Sequence, residues 1–417
     1  MIFFTSILSN YLDKSLVLAE SVLRHHPDSE FRIYIFDYDT AQLPTQDELR
    51  SHLEVDILSS LPTFHSSRKT YPDLLLFESR FNIVECCTAV KPFIFLELLK
   101  LTGKVIYLDP DTVVYKELDL LKEDLKQPEW DLQIIPHVIN PPSQDSLLSE
   151  RLFANFGVFN LGYLAARQSI KSVEFLKWWA TTCAIYGVAR PIAGLYVDQK
   201  PFDFAPAFID KLSIIRHPGW NVAWWNLFCD GRTLRPNHKI EMNGSYHEIV
   251  FMHFSNLDRD FPEAFVSRPL KNLLKRKNHG RAKLAANTVF LELLNAYRER
   301  CSWLASNLLQ TSPLKVIPSK RLSLSQQLLD ESFRFAAQSS SLSKWIAQAK
   351  GIKKCSNDTE KLFFAMRMIL IFSDTKPTSL LKLTRRAIGH FRQTLINSSL
   401  WDFSHQEVEL ISNELFR

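Results

Sequence analysis

The amino-terminal part of the chain alternates between two hydrophobic patterns, one typical of buried strands and one typical of amphipathic helices. Residues 2–8 form a continuous apolar run, and apolar residues then recur at helical spacing from Leu12 to Leu23. The alternation predicts further strands at 31–37, 54–58, 104–109 and 131–136, and helices over 88–100 and 117–126. Because strands that alternate with helices form a mostly parallel sheet covered on both faces, the sequence predicts an α/β fold.

This pattern stops near residue 260. It closes with a loop at 137–146 that we interpret as a candidate active-site flap, a strand-like run at 155–167, a helix at 172–186 and a strand at 247–255. Residues 267–417 show helical patterns, such as the one at 289–309, without convincing strands. We therefore predict an α/β domain at 1–260 and a mainly helical C-terminal extension or domain at 267–417.

The composition is that of an ordinary globular protein, with 46% hydrophobic and 23% charged residues. A formal net charge of +5 is too weak to indicate a nucleic-acid partner. The six cysteines show no CxxC spacing, so the sequence indicates neither a zinc site nor a disulfide framework. No secretory-signal pattern precedes the first strand, and the apolar stretch at 362–372 is too short to span a bilayer. We therefore expect a soluble, cytoplasmic protein.

A short basic stretch, RPLKNLLKRKNHGRAK at 268–283, separates the two regions. Such a run is most often a solvated face, but it also suits contact with anionic lipid. Peripheral contact with the inner face of the membrane is therefore an open alternative.

Two acidic residues, Asp109 and Asp111, follow the strand pattern KVIYL directly. Pro110 lies between them and cannot continue a regular ladder, so we expect the strand to end there. Ligands of α/β sheets bind at the carboxyl ends of strands, and hard cations such as Mn²⁺ and Mg²⁺ prefer carboxylate oxygens. The pair is therefore a candidate metal site, and the alternative is a loop with two solvated acids.

The same letters, DPDTV at 109–113, also fit the motif of haloacid-dehalogenase-type phosphatases. In that enzyme class Asp109 would be a phosphorylated nucleophile and Asp111 the general acid and base. The phosphatase motif normally follows the first strand of its domain, whereas three predicted strands precede it here. No GDxxxD-like run follows it either, which favours another class.

Several motifs occur in order along the chain: FFTSILSNYLDKS, ECCTAVKPFIFLELL, VIYLDPDTVV, NFGVFNLGYLA, GLYVDQKPFD and FMHFSN. With this order, residues 1 to about 258 resemble the nucleotide-sugar transferases of the GT-A fold, particularly glycosyltransferase family 8, which includes glycogenin and lipopolysaccharide glycosyltransferases. The resemblance implies a Rossmann-like GT-A domain that binds a nucleoside diphosphate sugar.

The first two motifs imply contacts with the donor. By resemblance Thr5 lies against the nucleotide, with Asn10 or Tyr11 beside it. Lys91 matches the basic residue of the helix before the acidic pair, which contacts the donor in the family. From the residues alone, Lys91 could equally extend along a helix surface.

The remaining motifs imply the metal ligands and the sugar pocket. In the family, residues matching Asp111 and His253 bind the metal directly, and the residue matching Asp109 binds metal, ribose or both. Two carboxylates and an imidazole suit Mn²⁺, although a histidine ending an apolar run is also a common core residue. The resemblance further places four residues in the sugar pocket or beside the transferred sugar: Asn155, Asn160, Asp198 and Gln199.

The chain departs from the family after His253, where HFSNLDRDFP replaces the usual Gly followed by Lys-Pro-Trp. Arg259 or a lysine of the basic stretch could supply the missing cation for the diphosphate. The segment HPGWNVAWWNL at 217–227 resembles bacterial members of the group, which implies a surface-polysaccharide acceptor. Its tryptophans, Trp220, Trp224 and Trp225, are either core residues or platforms for sugars or lipid carriers.

These features together predict a metal-dependent glycosyltransferase. The expected reaction moves a sugar from a nucleoside diphosphate sugar, with UDP-sugars favoured, to a glycan or lipid-linked acceptor, and the resemblance implies retention at the anomeric carbon. A glycan-binding scaffold that kept the fold and lost the chemistry is the alternative in another class.

Overall fold

The computed structural model describes residues 1–37, 43–67, 81–118, 130–142, 150–191, 194–255 and 287–309. Two compact units divide the chain: Met1–Ser66 with Cys87–Val316, and Ser67–Cys86 with Ile317–Arg417. Of the second unit, the structure describes only Ser67 and residues 81–86.

The described residues form short strands and mostly short helices. The strands are β1 (Ile2–Ile7), β2 (Glu30–Ile35), β3 (Thr63–Ser66), β4 (Lys104–Leu108), β5 (Thr112–Val114), β6 (Leu132–Pro136), β7 (Phe159–Arg167), β8 (Ala189–Arg190), β9 (Leu195–Tyr196), β10 (Leu212–Ile214), β11 (Thr233–Arg235), β12 (Lys239–Met242), β13 (Ser245–Glu248) and β14 (Phe251–His253). The α-helices are α1 (Leu12–His25), α2 (Gln46–His52), α3 (Ile83–Ala89), α4 (Lys91–Leu101), α5 (Glu150–Phe156), α6 (Ile170–Tyr186), α7 (Ala205–Phe208), α8 (Trp224–Cys229) and α9 (Thr288–Leu308). Short 3₁₀ helices lie at Ser9–Tyr11 and Lys200–Phe204.

Seven strands form the main sheet, in the order β10-β6-β7-β4-β1-β2-β3. Strand β7 is antiparallel to both of its neighbours, β4 and β6, whereas every other neighbouring pair is parallel. All six residues of β1 are buried, as expected for a parallel strand covered on both faces. The predicted α/β fold with a mostly parallel sheet is therefore confirmed.

A second, smaller pairing joins distant parts of the chain. Strand β5 follows β4 after a turn of three residues and pairs antiparallel with β14. Val114 in β5 donates its backbone N–H to the Ser21 hydroxyl of α1 at 3.1 Å. The end of β4 is thus held between the main sheet and this two-stranded ribbon.

The predicted strand at 54–58 is wrong. Ile57 and Leu58 are 81% and 90% exposed, and Leu58 donates its N–H to the Asp56 carboxylate at 3.0 Å, as in an Asx turn. Arg50 donates to the carbonyls of Asp56 and Ser59, which holds this turn against α2. The third strand forms instead at Thr63–Ser66.

Two other predicted elements differ in their boundaries. The strand-like run at 155–167 begins as the end of α5, and the strand itself starts at Phe159. Gly157 ends the helix with φ 121°, a conformation that L side chains rarely adopt. The predicted strand at 247–255 is divided into β13 and β14, and the predicted helix over 88–100 lies in α3 and α4.

The regions predicted for the remainder of the chain are described only in part. The predicted helix at 289–309 corresponds to α9, whereas the predicted helix at 117–126 mostly lies outside the described residues. The five described cysteines are buried. Trp220, Trp224 and Trp225 are buried, which confirms their interpretation as core residues.

No helix in the described ranges is both long and apolar enough to cross a membrane.

Candidate active site

The turn after β4 brings the two predicted acidic residues beside β14. Asp109 donates its backbone N–H to the Gly162 carbonyl of β7 at 2.9 Å, which holds the end of β4 in the sheet. In the β5–β14 pairing His253 lies opposite Thr112, and Phe254 donates its N–H to the Asp111 carbonyl at 2.7 Å. Residues far apart in the sequence therefore converge at the carboxyl end of β4.

Asp109, Asp111 and His253 form what we call the Asp–Asp–His cluster. The His253 Nε2 atom lies 3.1 Å from Asp111 Oδ1 and 3.6 Å from Asp109 Oδ2. One ligand atom from each residue lies within 4.8 Å of the others, so a single cation could contact all three. Two carboxylate oxygens and one imidazole nitrogen are a suitable donor set for Mn²⁺ or Mg²⁺.

Within the cluster, His253 and Asp111 shift each other's pKa. Burial disfavours the charged form of each group, but the attraction between His253 and Asp111 outweighs it. The pKa of His253 is therefore raised and the pKa of Asp111 is lowered. The raised pKa of His253 favours the imidazolium form, which pairs with the Asp111 carboxylate.

The two carboxylate oxygens of Asp109 face different partners. Oδ1 accepts a hydrogen bond from the Tyr107 hydroxyl at 2.5 Å and lies 3.3 Å from Lys91 Nζ. Oδ2 faces His253. The protein thus binds one oxygen and leaves the other for the centre of the cluster.

Lys91, the first residue of α4, is buried and links Asp109 to Asp198. Its Nζ atom lies 3.0 Å from Asp198 Oδ2 and 4.1 Å from the centre of the Tyr107 ring. Burial would lower the pKa of Lys91, but the attraction of Asp109 and Asp198 raises it above the ordinary range. Lys91 is therefore a fixed positive charge beside the cluster.

Asp198 and Gln199 lie between β9 and the 3₁₀ helix at 200–204, and both are buried. Burial, together with the neighbouring Asp109, raises the pKa of the Asp198 carboxyl in spite of Lys91. The Gln199 amide binds main-chain groups on both sides. It accepts from the Leu161 N–H at 3.0 Å and donates to the Phe156 carbonyl at 2.9 Å.

Asn160 belongs to a group of polar side chains on the Nδ1 side of His253. Its Oδ1 accepts from the Gly162 N–H at 3.1 Å and from Asn221 Nδ2 at 3.2 Å, and its Nδ2 lies 3.2 Å from His137 Nε2. Asn221 Oδ1 in turn lies 3.3 Å from His253 Nδ1. The sequence analysis did not predict roles for His137 or Asn221. Asn221 lies within the noted segment 217–227, and His137 begins the predicted flap.

Gly162 allows this close packing. A Cβ atom on Gly162 would lie 2.6 Å from His253 Cε1 and 2.7 Å from Asn160 Oδ1, which is too close for either side chain. The glycine of the NLGYL motif is thus required for the close approach of β7 to His253, which is a packing reason rather than a conformational one.

The other predicted donor residues lie on β1, on the 3₁₀ helix after it and on α5. Thr5 is buried in β1, and its hydroxyl has no hydrogen-bond partner among the described residues. Asn10, which is exposed, and Tyr11 form part of the 3₁₀ helix after β1, and Lys14 Nζ lies 4.1 Å from the centre of the Tyr11 ring. Asn155 is half-buried on α5. Their roles stay predictions.

Some predicted features lie outside the described residues. These are Arg259, the basic stretch at 268–283 and residues 143–149, which include the end of the predicted flap and the residues after it.

Residues 2–128 match a family model described as Glycosyl transferase family 8. The protein is a glycosyltransferase. The match spans β1 to the region after the acidic pair and confirms the resemblance seen in the sequence motifs. The match also decides against the phosphatase interpretation of DPDTV. No curated protein sequence matches the chain.

Several solved structures are similar to the glycosyltransferase at low identity. One is the galactosyltransferase LgtC in complex with donor and acceptor sugar analogues, with 18% identity, a TM-score of 0.40, and coverage of 75% of this chain and 98% of LgtC. Mouse xyloside xylosyltransferase 1 has 13% identity, a TM-score of 0.36, and coverage of 61% and 97%. GlyE of Streptococcus pneumoniae TIGR4 has 14% identity, a TM-score of 0.37, and coverage of 75% and 66%.

Proposed function

We propose that this glycosyltransferase moves a sugar from a nucleoside diphosphate sugar, with UDP-sugars as the favoured donors, to a hydroxyl of a glycan or lipid-linked acceptor. The transfer depends on Mn²⁺ or Mg²⁺ and proceeds with retention. The observation that carries the proposal is the Asp–Asp–His cluster, where three metal-ligand side chains meet at the carboxyl end of a central strand.

The donor set fits a divalent cation. Asp109 Oδ2, an Asp111 oxygen and His253 Nε2 would hold it, because these atoms face one another while Asp109 Oδ1 is bound by protein donors. When bound, the cation supplies positive charge that stabilises the diphosphate leaving group.

Lys91 provides a second, permanent positive charge. It is buried between Asp109 and Asp198, so it holds both carboxylates in place. A buried lysine in such a position also attracts the anionic part of the donor. Lys91 therefore organises the donor site from the protein side.

Asp198 and Gln199 have different roles in this proposal. The Asp198 carboxylate is the nearest candidate nucleophile for a retaining reaction through a covalent intermediate, and a front-face reaction without an enzyme nucleophile is equally compatible. The Gln199 amide is occupied by Leu161 and Phe156. Gln199 therefore positions β7 and the end of α5 rather than attacking the sugar.

The test is the Mn²⁺-dependent hydrolysis of a panel of UDP-sugars by wild type and by Asp111→Ala. Loss of a metal ligand is expected to reduce turnover about 100-fold or more, because metal stabilisation of developing charge is worth several kcal/mol. Asp210→Ala, an exposed aspartate in a turn, is the matched control and should keep full activity. Unchanged turnover in Asp111→Ala would contradict the proposal.

Calorimetry with UDP and Mn²⁺ separates the catalyst from the glycan-binding scaffold of the sequence analysis. The enzyme should bind UDP more tightly when Mn²⁺ is present, whereas a scaffold without the donor site should show no metal-dependent binding of the nucleotide.

A further inference from the structure

We propose that His137, Asn160 and Asn221 form a hydrogen-bond relay that fixes which nitrogen of His253 carries a proton. The relay keeps hydrogen on Nδ1 and thereby leaves Nε2 free to bind the cation. This inference rests on the proposed metal role of the Asp–Asp–His cluster, and it assigns His137 and Asn221 as positioning residues.

The direction of the relay is fixed at its first member, His137. Its Nδ1 lies 3.3 Å from the Val158 carbonyl, and a carbonyl can only accept, so Nδ1 must carry the hydrogen. Burial lowers the pKa of His137 to about 4, which keeps the ring neutral near pH 7. Its Nε2 is therefore an acceptor, and the Asn160 atom 3.2 Å away must be the amide NH₂ group.

The orientation of Asn160 is fixed a second time from the other side. The Gly162 backbone N–H can only donate, and it lies 3.1 Å from Asn160 Oδ1. Both neighbours therefore require the same orientation of the amide. Because Oδ1 is an acceptor, the Asn221 atom at 3.2 Å must be its NH₂ group.

Asn221 determines which nitrogen of His253 donates a hydrogen bond. With its NH₂ group on Asn160, its Oδ1 faces His253 Nδ1 at 3.3 Å, so Nδ1 must donate. With Nδ1 donating to Asn221, His253 Nε2 is the nitrogen that faces Asp109 and Asp111, so it is the one that releases its proton when a cation binds and presents a lone pair to it. The opposite tautomer would direct an N–H at the cation and exclude it. Partners of metal-bound histidines commonly fix the tautomer in this way.

The backbone holds Asn221 in place for this role. Its φ is 51°, in the left-handed region that asparagine tolerates better than most residues. Its side chain is buried, and its carbonyl accepts from Asn226 Nδ2 at 2.7 Å. An uncommon conformation, fixed by its own hydrogen bond, thus aims the amide between Asn160 and His253.

The experiment compares Asn221→Gly with Asn243→Gly. Both asparagines have φ near 50°, and glycine adopts this conformation without strain, but Asn243 is exposed in the turn between β12 and β13. Mn²⁺ affinity is measured by calorimetry on the full chain without nucleotide. Asn221→Gly should bind Mn²⁺ about 10- to 100-fold more weakly, the usual effect of losing such a partner. Asn243→Gly should bind like wild type.

A second readout follows the proton itself. In protein labelled with ¹⁵N-histidine, the Nδ1-bound proton of His253 should give a slowly exchanging signal with and without Mg²⁺, assigned by its loss in His253→Gln. The signal should disappear in Asn221→Gly. Asn221→Asp loses the donor to Asn160 Oδ1 but keeps an acceptor beside His253 Nδ1. It should therefore keep the proton and bind Mn²⁺ within about threefold of wild type, in line with carboxylate partners of metal-bound histidines.

The outcomes separate this proposal from the proposed function. If wild type binds Mn²⁺ and Asp111→Ala does not, but Asn221→Gly matches wild type in affinity and keeps the proton, the relay is wrong and the metal site stands. If wild type and Asp111→Ala are equally unable to bind Mn²⁺, the metal site is wrong. The His253 signal in Asn221→Gly then still decides whether the relay exists.

Discussion

At the scale of single residues, Asp109 shows how neighbouring side chains orient a carboxylate of the proposed metal site. A free carboxylate can rotate and offer either oxygen. Here Tyr107 and Lys91 bind Oδ1, so the plane of the group is set and Oδ2 faces His253. Tyr107 is itself buried in β4, which makes its hydroxyl a fixed donor.

The first prediction concerns this hydroxyl. Tyr107→Phe removes a hydrogen bond to a charged group, worth about 1.5–3 kcal/mol, so Mn²⁺ affinity should fall about 10- to 150-fold. Tyr163→Phe is the matched control, because Tyr163 is also buried in the sheet and donates to Gln133 at 2.5 Å. The control should lose stability without losing Mn²⁺ affinity. Equal Mn²⁺ affinities of Tyr107→Phe and wild type in calorimetry would show that the hydroxyl does not orient Asp109.

The sequence allowed prediction of some residues of the candidate site and not of others. Asp109 and Asp111 directly follow an apolar strand, and position alone marks them as exposed to a ligand. No sequence pattern identifies His137 and Asn221 as site residues, because their roles arise only when side chains from separate loops meet. The left-handed conformation of Asn221 is a local property of the backbone. The sequence around it does not indicate that its side chain contacts His253.

At the scale of elements, hydrophobic patterns predicted that strands exist better than they predicted how strands pair. The run FNLGYLAAR looks the same whether it joins the sheet parallel or antiparallel, so the reversed direction of β7 could not be predicted. The pairing of β5 with β14 was also missed, because both strands are three residues long. The run at 54–58 has a strand-like pattern, but hydrogen bonds to the Asp56 side chain and from Arg50 hold it as a turn.

Helix α9 supports the cluster from behind. Its Tyr297 ring stacks on Phe254 with ring centres 4.4 Å apart, and Phe254 donates its N–H to the Asp111 carbonyl. Arg300 forms an ion pair with the buried Glu20 of α1 and donates to the His52 carbonyl at 2.8 Å. The helix therefore fixes the residue that follows His253.

The second prediction tests this support. Tyr297→Ala should cost about 3–5 kcal/mol of stability, as for other large aromatic truncations in a core, and should also weaken Mn²⁺ binding. Tyr297→Phe keeps the stacked ring and should bind Mn²⁺ normally. Leu304→Ala, at a buried position further along α9, should cost about 2–5 kcal/mol without weakening Mn²⁺ binding. Urea unfolding and calorimetry give the two quantities. Loss of Mn²⁺ affinity in Leu304→Ala as well would mean that general destabilisation, not the stacked ring, is responsible.

At the scale of the whole molecule, the compact unit that holds the sheet extends beyond residue 260 and includes α9. The division into an α/β domain at 1–260 and a helical region at 267–417 stays a prediction, because most of the second region lies outside the described residues. A fragment ending at residue 260 would nevertheless lack the stacking of Tyr297 on Phe254.

Acid stability is a property of the whole fold, and the third prediction concerns it. Burial is the leading cause of the lowered pKa of His25, His65, His137 and His217. The unfolded chain therefore binds more protons below the ordinary histidine pKa of 6.5, and these residues reduce stability as the pH falls through that value. For His137, with a folded pKa of about 4, the loss between pH 7 and pH 5 is about 2 kcal/mol.

His137→Gln isolates this contribution, because glutamine can both donate and accept but does not titrate. Urea unfolding of both proteins in EDTA should show a loss of stability from pH 7 to pH 5 that is about 2 kcal/mol smaller in the variant. A parallel decline in the two proteins would mean that His137 does not remain neutral in the folded chain.

The pairing of β5 with β14 has a consequence for the order of events during protein synthesis. The two acidic ligands leave the ribosome about 140 residues before His253 does. At about 5–20 residues per second, this interval is on the order of 10 s. During that time the nascent chain carries two carboxylates without their imidazole partner, so the complete ligand set cannot form until β14 has been synthesised. In the proposed metal site, capture of a cation by all three side chains is thus a late step in the maturation of the protein.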